Sequence, residues 1–245
     1  MRVAAAVFDL YGTLLAIDSM ATHVARASVA DADAFVRDWR RKQLEYAFLS
    51  SLANAYRDFD ELTALALEQT CAARGVSLAT AVQAALVDAW RTMPAYDDVA
   101  PALGALAARG VPLAVLTNGT PASAQAALAG AGVRGLLTAV LSVESVRAYK
   151  PDPRVYALAT AHFNCAPREI VFVSSNPWDA WGAARFGFRV AWCNRARGVA
   201  ETLLPAPETT ISGLEELGAF VGAAERGDAQ PTSYGPAGGT TDAVE

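Results

Sequence analysis

Four points along the chain set polar or charged side chains directly after apolar runs or just before Pro: Asp9, Thr117 with Asn118, Lys150, and Ser174 with Ser175 and Asn176, followed closely by Asp179. A carboxylate at the end of a buried strand, followed by a turn whose backbone N–H groups face it, can act as a nucleophile. A lysine within a few ångströms would hold Asp9 ionised by opposite-charge stabilisation. Alone, an Asp at a strand end more often caps a turn, and a Lys before Pro is usually solvated. Four strand ends that each carry a matched polar group favour one shared crevice. His23 and His162 are the only 2 histidines, so His-based nucleophilic catalysis has little to work with.

The elements that must position these residues follow from the apolar pattern. Residues 3–9 read as a buried strand, and the next strand-like run comes about a hundred residues later in the chain. Between them, residues 20–92 show periodic apolar residues with interleaved charges and almost no Pro or Gly, which predicts helices throughout. From residue 100 the pattern alternates: helix 102–109, strand 111–117, helix 121–131, strand 139–142, helix 153–163, strand 170–174, helix 177–186 and strand 189–193. Such alternation with short connections predicts an α/β fold with a doubly wound parallel sheet, whose ligands bind beyond the carboxyl ends of the strands. The expected partition is an α/β core from residues 1–18 and 95–222, an inserted all-helical cap from 19–94, and a disordered tail from 223–245, which is rich in Gly, Pro, Thr and Asp.

Charge narrows the function classes. With 20 Lys plus Arg against 25 Asp plus Glu, a net charge of -5 and no basic block, the chain is not expected to bind nucleic acid. Every long apolar stretch is interrupted before the length a membrane span needs, and the start does not read as a signal peptide. The 3 cysteines are widely spaced and suggest neither a disulfide framework nor a metal site. A soluble, unexported, cytoplasmic protein is expected. Dinucleotide-binding, Walker and His-Glu-x-x-His motifs are absent.

The chain resembles the haloacid dehalogenase superfamily and, within it, the type II L-2-haloacid dehalogenases. The resemblance spans residues 3–217 and rests on Phe-Asp-Leu-Tyr-Gly-Thr-Leu (8–14), Trp39-Arg40 with Lys-Gln-Leu-Glu-Tyr (42–46), Leu-Thr-Asn-Gly (116–119), Tyr-Lys-Pro-Asp (149–152) with Tyr156, and Phe-Val-Ser-Ser-Asn (172–176) with Trp178 and Asp179. It implies a Rossmann-like core with a helical cap. Phosphatases of the superfamily carry Asp-x-Asp and further acidic residues that complete a Mg²⁺ site. Here the second Asp position is Tyr11, and Ser174, Ser175 and Asn176 stand where much of that charge would be. A hard divalent cation wants several carboxylate oxygens, so metal-independent chemistry without a cofactor is expected.

The resemblance also implies roles. Asp9 displaces halide from C2 of a short L-2-haloalkanoate, forming an ester, and water then attacks the Asp9 carbonyl carbon to give a D-2-hydroxyacid. Thr117, the N–H groups of Leu10 and Tyr11, and Lys150 are candidates for the substrate carboxylate; Arg40 and Asn118 are candidates for the halide. Asp179, oriented by Lys150, Ser174 and Asn176, is the candidate base, with Thr13 as a positioning donor, backbone N–H groups after Asp9 as the oxyanion site, and Tyr156 in the same network. Tyr11, Leu44, Phe59 and Trp178 would form the apolar wall. Arg41 stands where the family usually has Gln, and Thr117 where it usually has Ser. The alternatives are a Mg²⁺-dependent phosphohydrolase and a non-catalytic acid-binding homologue. A homodimer through the cap helices is implied by the resemblance alone.

Overall fold

The computed structural model describes residues 3–226. Its centre is a six-stranded parallel sheet in the order β3-β2-β1-β4-β5-β6. The strands are β1 (Ala5–Phe8), β2 (Leu113–Thr117), β3 (Ala139–Ser142), β4 (Ile170–Ser174), β5 (Arg189–Cys193) and β6 (Thr209–Ile211). β1, β2, β4 and β5 are buried along their whole length, as expected of strands covered on both faces. β1 lies between β2 and β4, with Phe8 level with Val115 on one side and Val173 on the other. The chain therefore builds outward on one side of β1 and then crosses to the other, and the crevice opens beyond β1 where these directions part.

Helices α1 (Met20–Arg26), α2 (Ala32–Leu52), α3 (Phe59–Arg74) and α4 (Thr80–Asp88), with a 3-10 turn at Ala89–Arg91, separate β1 from the rest of the sheet, so residues 20–92 are largely helical as the periodicity predicts. Local chemistry sets their ends. Asp58 caps α3 by accepting from Glu61 N at 2.8 Å, and Gly75, at a φ of 63°, ends it. The long α2 packs along α3, and Trp39 donates from Nε1 to the Thr63 carbonyl at 2.9 Å to lock their register. No helix among the described residues is long and apolar enough to cross a membrane.

Five further helices clothe the sheet: α5 (Val99–Ala108), α6 (Pro121–Gly130), α7 (Pro153–Phe163), α8 (Pro177–Phe186) and α9 (Leu217–Arg226). α6, α7 and α8 each begin with Pro at the first helical position, where its missing N–H costs nothing. Two elements go beyond the sequence reading. β6 is a short edge strand with one buried residue, too brief for an alternation signal. α9 continues to Arg226 with Ala224 buried, so residues 223–226, which composition assigns to the tail, are helical; the remainder of that predicted tail lies outside the described residues.

Candidate active site

Asp9 leaves β1 at the carboxyl edge of the sheet and is 6% exposed. The next residues curl tightly. The Leu10 carbonyl accepts from Leu14 N and Leu15 N at 2.9 and 3.0 Å, and Gly12, at a φ of 89°, makes a reversal that a side chain would strain. The curl returns Thr13 to Asp9, where its hydroxyl donates to Oδ2 at 2.9 Å. Ser175 N donates to the same Thr13 oxygen at 2.8 Å, tying the β1 turn to the end of β4.

Lys150 is fully buried, and its Nζ donates to Asp9 Oδ1 and Asp179 Oδ2, each at 2.9 Å. A buried ammonium is costly unless paired. Burial acts against its charge, but Asp179 and Asp9 together outweigh it and raise the Lys150 pKa. Asp179, in the first turn of α8 and also fully buried, has its pKa raised, first by burial; Lys150 opposes this, Asp9 adds to it, and Tyr156 also lowers it by donating from its hydroxyl to Oδ1 at 2.8 Å. The second group on Asp9 Oδ2 is Asn176, whose Nδ2 donates at 2.8 Å. Asn176 sits at the N-cap of α8, yet its side chain makes no capping bond. Its amide is turned to the carboxylate instead.

Ser174 is buried, and its hydroxyl accepts from Asn176 N at 3.1 Å. It thus orients Asn176, and neither side chain bonds the Asp179 carboxylate as the sequence reading expects; those of Lys150 and Tyr156 do. The Lys150 ammonium, also a candidate for the substrate carboxylate, spends two of its three N–H donors on the Asp9 and Asp179 carboxylates. Among the backbone N–H groups after Asp9, those of Gly12, Thr13, Leu14 and Leu15 close the turn, whereas those of Leu10 and Tyr11 do not. The donors on Asp9 Oδ2 are side chains, Thr13 and Asn176. Thr117 is buried and accepts from Gly119 N at 3.0 Å. Asn118 Oδ1 accepts from Lys150 N at 3.1 Å, which turns the amide nitrogen the other way. Gly119 lets the chain pass close to Tyr11, since a Cβ there would lie 3.0 Å from the ring.

The helical segment closes the other side. Tyr11 lies 6.3 Å from the Phe59 ring and 5.7 Å from Trp90, centroid to centroid, and burial raises its hydroxyl pKa well above the ordinary value. The Arg40 guanidinium lies 5.9 Å from the Phe59 centroid and 5.7 Å from that of Trp90. It forms no ion pair with any described carboxylate. Burial pulls its pKa down to about 10, opposed first by the charge of Asp9. A groove of about 690 Å³ runs outward from Arg40, lined by Leu44, Phe48, Val36, Ile17 and Trp178; Trp178 packs edge-on to Phe48 at 5.3 Å. Arg41 also lines this groove and pairs with Asp38 at 2.9 Å, with three-quarters of its side chain exposed.

Asp9, Thr13, Lys150, Asn176, Asp179 and Tyr156 thus form one hydrogen-bonded cluster, to which Ser174 attaches through Asn176 N and Asn118 through Lys150 N, while Leu44 and Trp178 lie farther out along the groove. Two residues of this neighbourhood were not picked out. Gln43 is fully buried beside Arg40, and Trp90 is buried between Tyr11 and Trp39. Gln43 falls within the Lys-Gln-Leu-Glu-Tyr segment, and its spacing of three from Arg40 on a helix puts the two side chains on one face; Trp90 shows only an apolar periodicity.

Residues 3–187 match the haloacid dehalogenase-like hydrolase family. The chain belongs to that family. Over 216 residues it is 38% identical to an (S)-2-haloacid dehalogenase of Pseudomonas fluorescens, covering 88% of this chain and 95% of that one. An (S)-2-haloacid dehalogenase of Pseudomonas sp. (strain YL) is 39% identical over 210 residues, with coverage of 86% and 90%. Among solved structures, the L-2-haloacid dehalogenase of Xanthobacter autotrophicus with chloropropionic acid covalently bound superposes with a TM-score of 0.83 at 33% identity, covering 90% of this chain and 98% of that one. The family resemblance read from the motifs is therefore correct, and the parallel sheet is that of a haloacid dehalogenase-like hydrolase.

Proposed function

We propose that this family member hydrolyses the carbon–halogen bond of short L-2-haloalkanoic acids through an ester on Asp9, releasing D-2-hydroxyacids. One observation carries the reading: beside Asp9 stand the buried ring of Tyr11 and the Arg40 guanidinium, which has no ion-pair partner among the described residues. A phosphate ester's leaving alkoxide needs a proton, and Tyr11, with its pKa raised by burial, is a poor acid. A halide needs no proton, only a positive partner as its charge develops. The names of the Pseudomonas relatives and the covalent adduct of the Xanthobacter enzyme support the same reaction.

The geometry divides the work on Asp9 between its two oxygens. Oδ2 already accepts from Thr13 and Asn176, whereas Oδ1 accepts from Lys150 alone and has more lone-pair density to offer. Oδ1 attacks C2 from the face opposite the halogen; the Oδ1–C2 bond forms, the carbon–halogen bond breaks, and the halide leaves with the electron pair towards Arg40 and the Asn118 amide. Thr117 and the Leu10 and Tyr11 N–H groups hold the substrate carboxylate. Tyr11, Phe59, Leu44 and Trp178 keep water from Asp9 until the ester exists, because a hydrated carboxylate is a poor nucleophile.

Water then attacks the Asp9 carbonyl carbon and gives a proton to Asp179, which shares the Lys150 ammonium with Asp9 and so lies within one water molecule's span of it. Negative charge gathers on Oδ2, where Thr13 and Asn176 already donate. Collapse breaks the bond between the carbonyl carbon and Oδ1, the departing hydroxyacid oxygen takes the proton back from Asp179, and the carboxyl group left on Asp9 loses its own proton to solvent, which restores the nucleophile and releases one proton per halide. Only the first step touches C2, so its configuration inverts once. No metal enters this scheme, since the position between the two carboxylates is filled by the Lys150 ammonium.

The reading assigns the enzyme to the reducing cytoplasm, where three cysteines without disulfides remain thiols, with a free haloacid as its only obligatory partner. A homodimer through the helical segment belongs to the same reading; exposed Leu49 and Leu52 on α2 are its support. The experiment is halide release from L- and D-2-chloropropionate in the presence of a chelator, with chiral analysis of the product. Release from the L form alone, giving the D-hydroxyacid, is expected. Retained configuration, or turnover that the chelator abolishes, would overturn the mechanism.

A further inference from the structure

Arg40 has one hydrogen-bond partner among the described residues, Gln43, whose Oε1 accepts from Nη1 at 2.6 Å. Gln43 follows one turn later on α2 and is fully buried. Its Nε2 donates to Thr63 Oγ1 at 2.5 Å, and the Thr63 hydroxyl donates in turn to the Phe59 carbonyl at 2.6 Å. This chain has only one polarity. The Thr63 proton is committed to a carbonyl, so its oxygen must accept, Gln43 must present its NH₂ end to Thr63, and its carbonyl must face Arg40. A reversed amide would set N–H groups against the guanidinium and leave a buried acceptor without a donor.

The partner is also neutral. A carboxylate here would hold Arg40 equally well, but it would cancel the charge that a departing anion needs. The Phe59 and Trp90 faces on the guanidinium likewise attract it without supplying a full negative charge. We propose that Gln43 is a positioning residue for halide departure: its side-chain carbonyl, polarised by Thr63, aims the Arg40 guanidinium at the leaving group while leaving its positive charge unspent. This rests on the dehalogenase reading of the site.

The test compares wild type with Gln43→Glu, Gln43→Leu and Thr63→Val, measuring single-turnover ester formation, competitive inhibition by bromide, and melting temperature. Gln43→Glu keeps the shape and supplies a charged acceptor, so it separates positioning with charge preserved from packing alone. It is expected to weaken bromide inhibition and slow ester formation by about tenfold or more, with a lower Tm from the donor that Thr63 loses. Gln43→Leu and Thr63→Val are expected to move both readouts in the same direction, Thr63→Val less, because the amide is freed rather than lost. If one variant does not fold, the other two still decide. Bromide inhibition and ester formation equal to wild type in folded Gln43→Glu or Thr63→Val, whatever the change in stability, would make Gln43 a packing residue and overturn the proposal. A wild type that releases no halide from any 2-haloacid would instead sink the reaction itself, and the proposal with it.

Discussion

In the proposed mechanism Asp179 is the base of the second half of the reaction, and its surroundings set the pH at which that half can run. Burial raises its pKa while Lys150 and Tyr156 lower it. A base must be ionised to accept a proton, so ester hydrolysis falls as pH drops through the folded pKa, at higher pH than for an ordinary aspartate. Tyr156→Phe removes the hydroxyl that donates to Oδ1 at 2.8 Å and changes little else in the shape of the side chain. Its acidic limb in a kcat-against-pH profile is expected to move to higher pH, because the charged form of Asp179 loses a donor. An unmoved limb, or one moved to lower pH, would mean that Asp179 is not the group titrating. At this scale much was visible in the sequence: Asp9, Lys150 and Asp179 each stand at or just beyond a strand end, and strand ends converge. What was not visible was which donor serves which acceptor. Ser174, Asn176 and Lys150 are close in space, but their partners depend on side-chain directions that strand-end logic does not supply.

Helices α3 and α6 meet through a single carboxylate. Asp60, in the first turn of α3, accepts on Oδ2 from Ser123 Oγ at 2.7 Å, from Thr120 Oγ1 at 3.0 Å and from Arg91 Nη2 at 3.1 Å. Thr120 is itself the N-cap of α6, accepting from Ser123 N at 3.2 Å. This clasp stands beside Phe59 and so fixes the aromatic wall against the turn that follows β2. The carboxylate is partly exposed, which discounts the charged component. Asp60→Ala is expected to lower unfolding free energy by about 1–2 kcal/mol in urea denaturation; unchanged stability would show that packing alone holds the helices together. The inserted helices were legible from periodicity, and the strands after residue 100 from their short apolar runs. The clasp was not, because an Asp in a first helical turn reads as an ordinary helix-start residue, and β6 is too short to carry a pattern.

Across the whole molecule, the carboxyl edge of the sheet gathers two carboxylates with an ammonium between them, and the helical segment brings a guanidinium and an aromatic wall to the same place. In the proposed mechanism the two parts contribute different groups: the nucleophile and the base stand at the carboxyl edge of the sheet, whereas Arg40 and Phe59 come from α2 and α3 and Trp90 from the 3-10 turn that follows α4. The central claim is that the oxygen placed on the product comes from Asp9. A single turnover with enzyme in excess over L-2-chloropropionate, run in water labelled with heavy oxygen, tests it by mass spectrometry of the hydroxyacid and of the peptide containing Asp9. The mechanism predicts unlabelled product and label in the Asp9 carboxylate. Label in the product of that first turnover, with Asp9 unlabelled, would mean that water attacks C2 directly and that no ester forms.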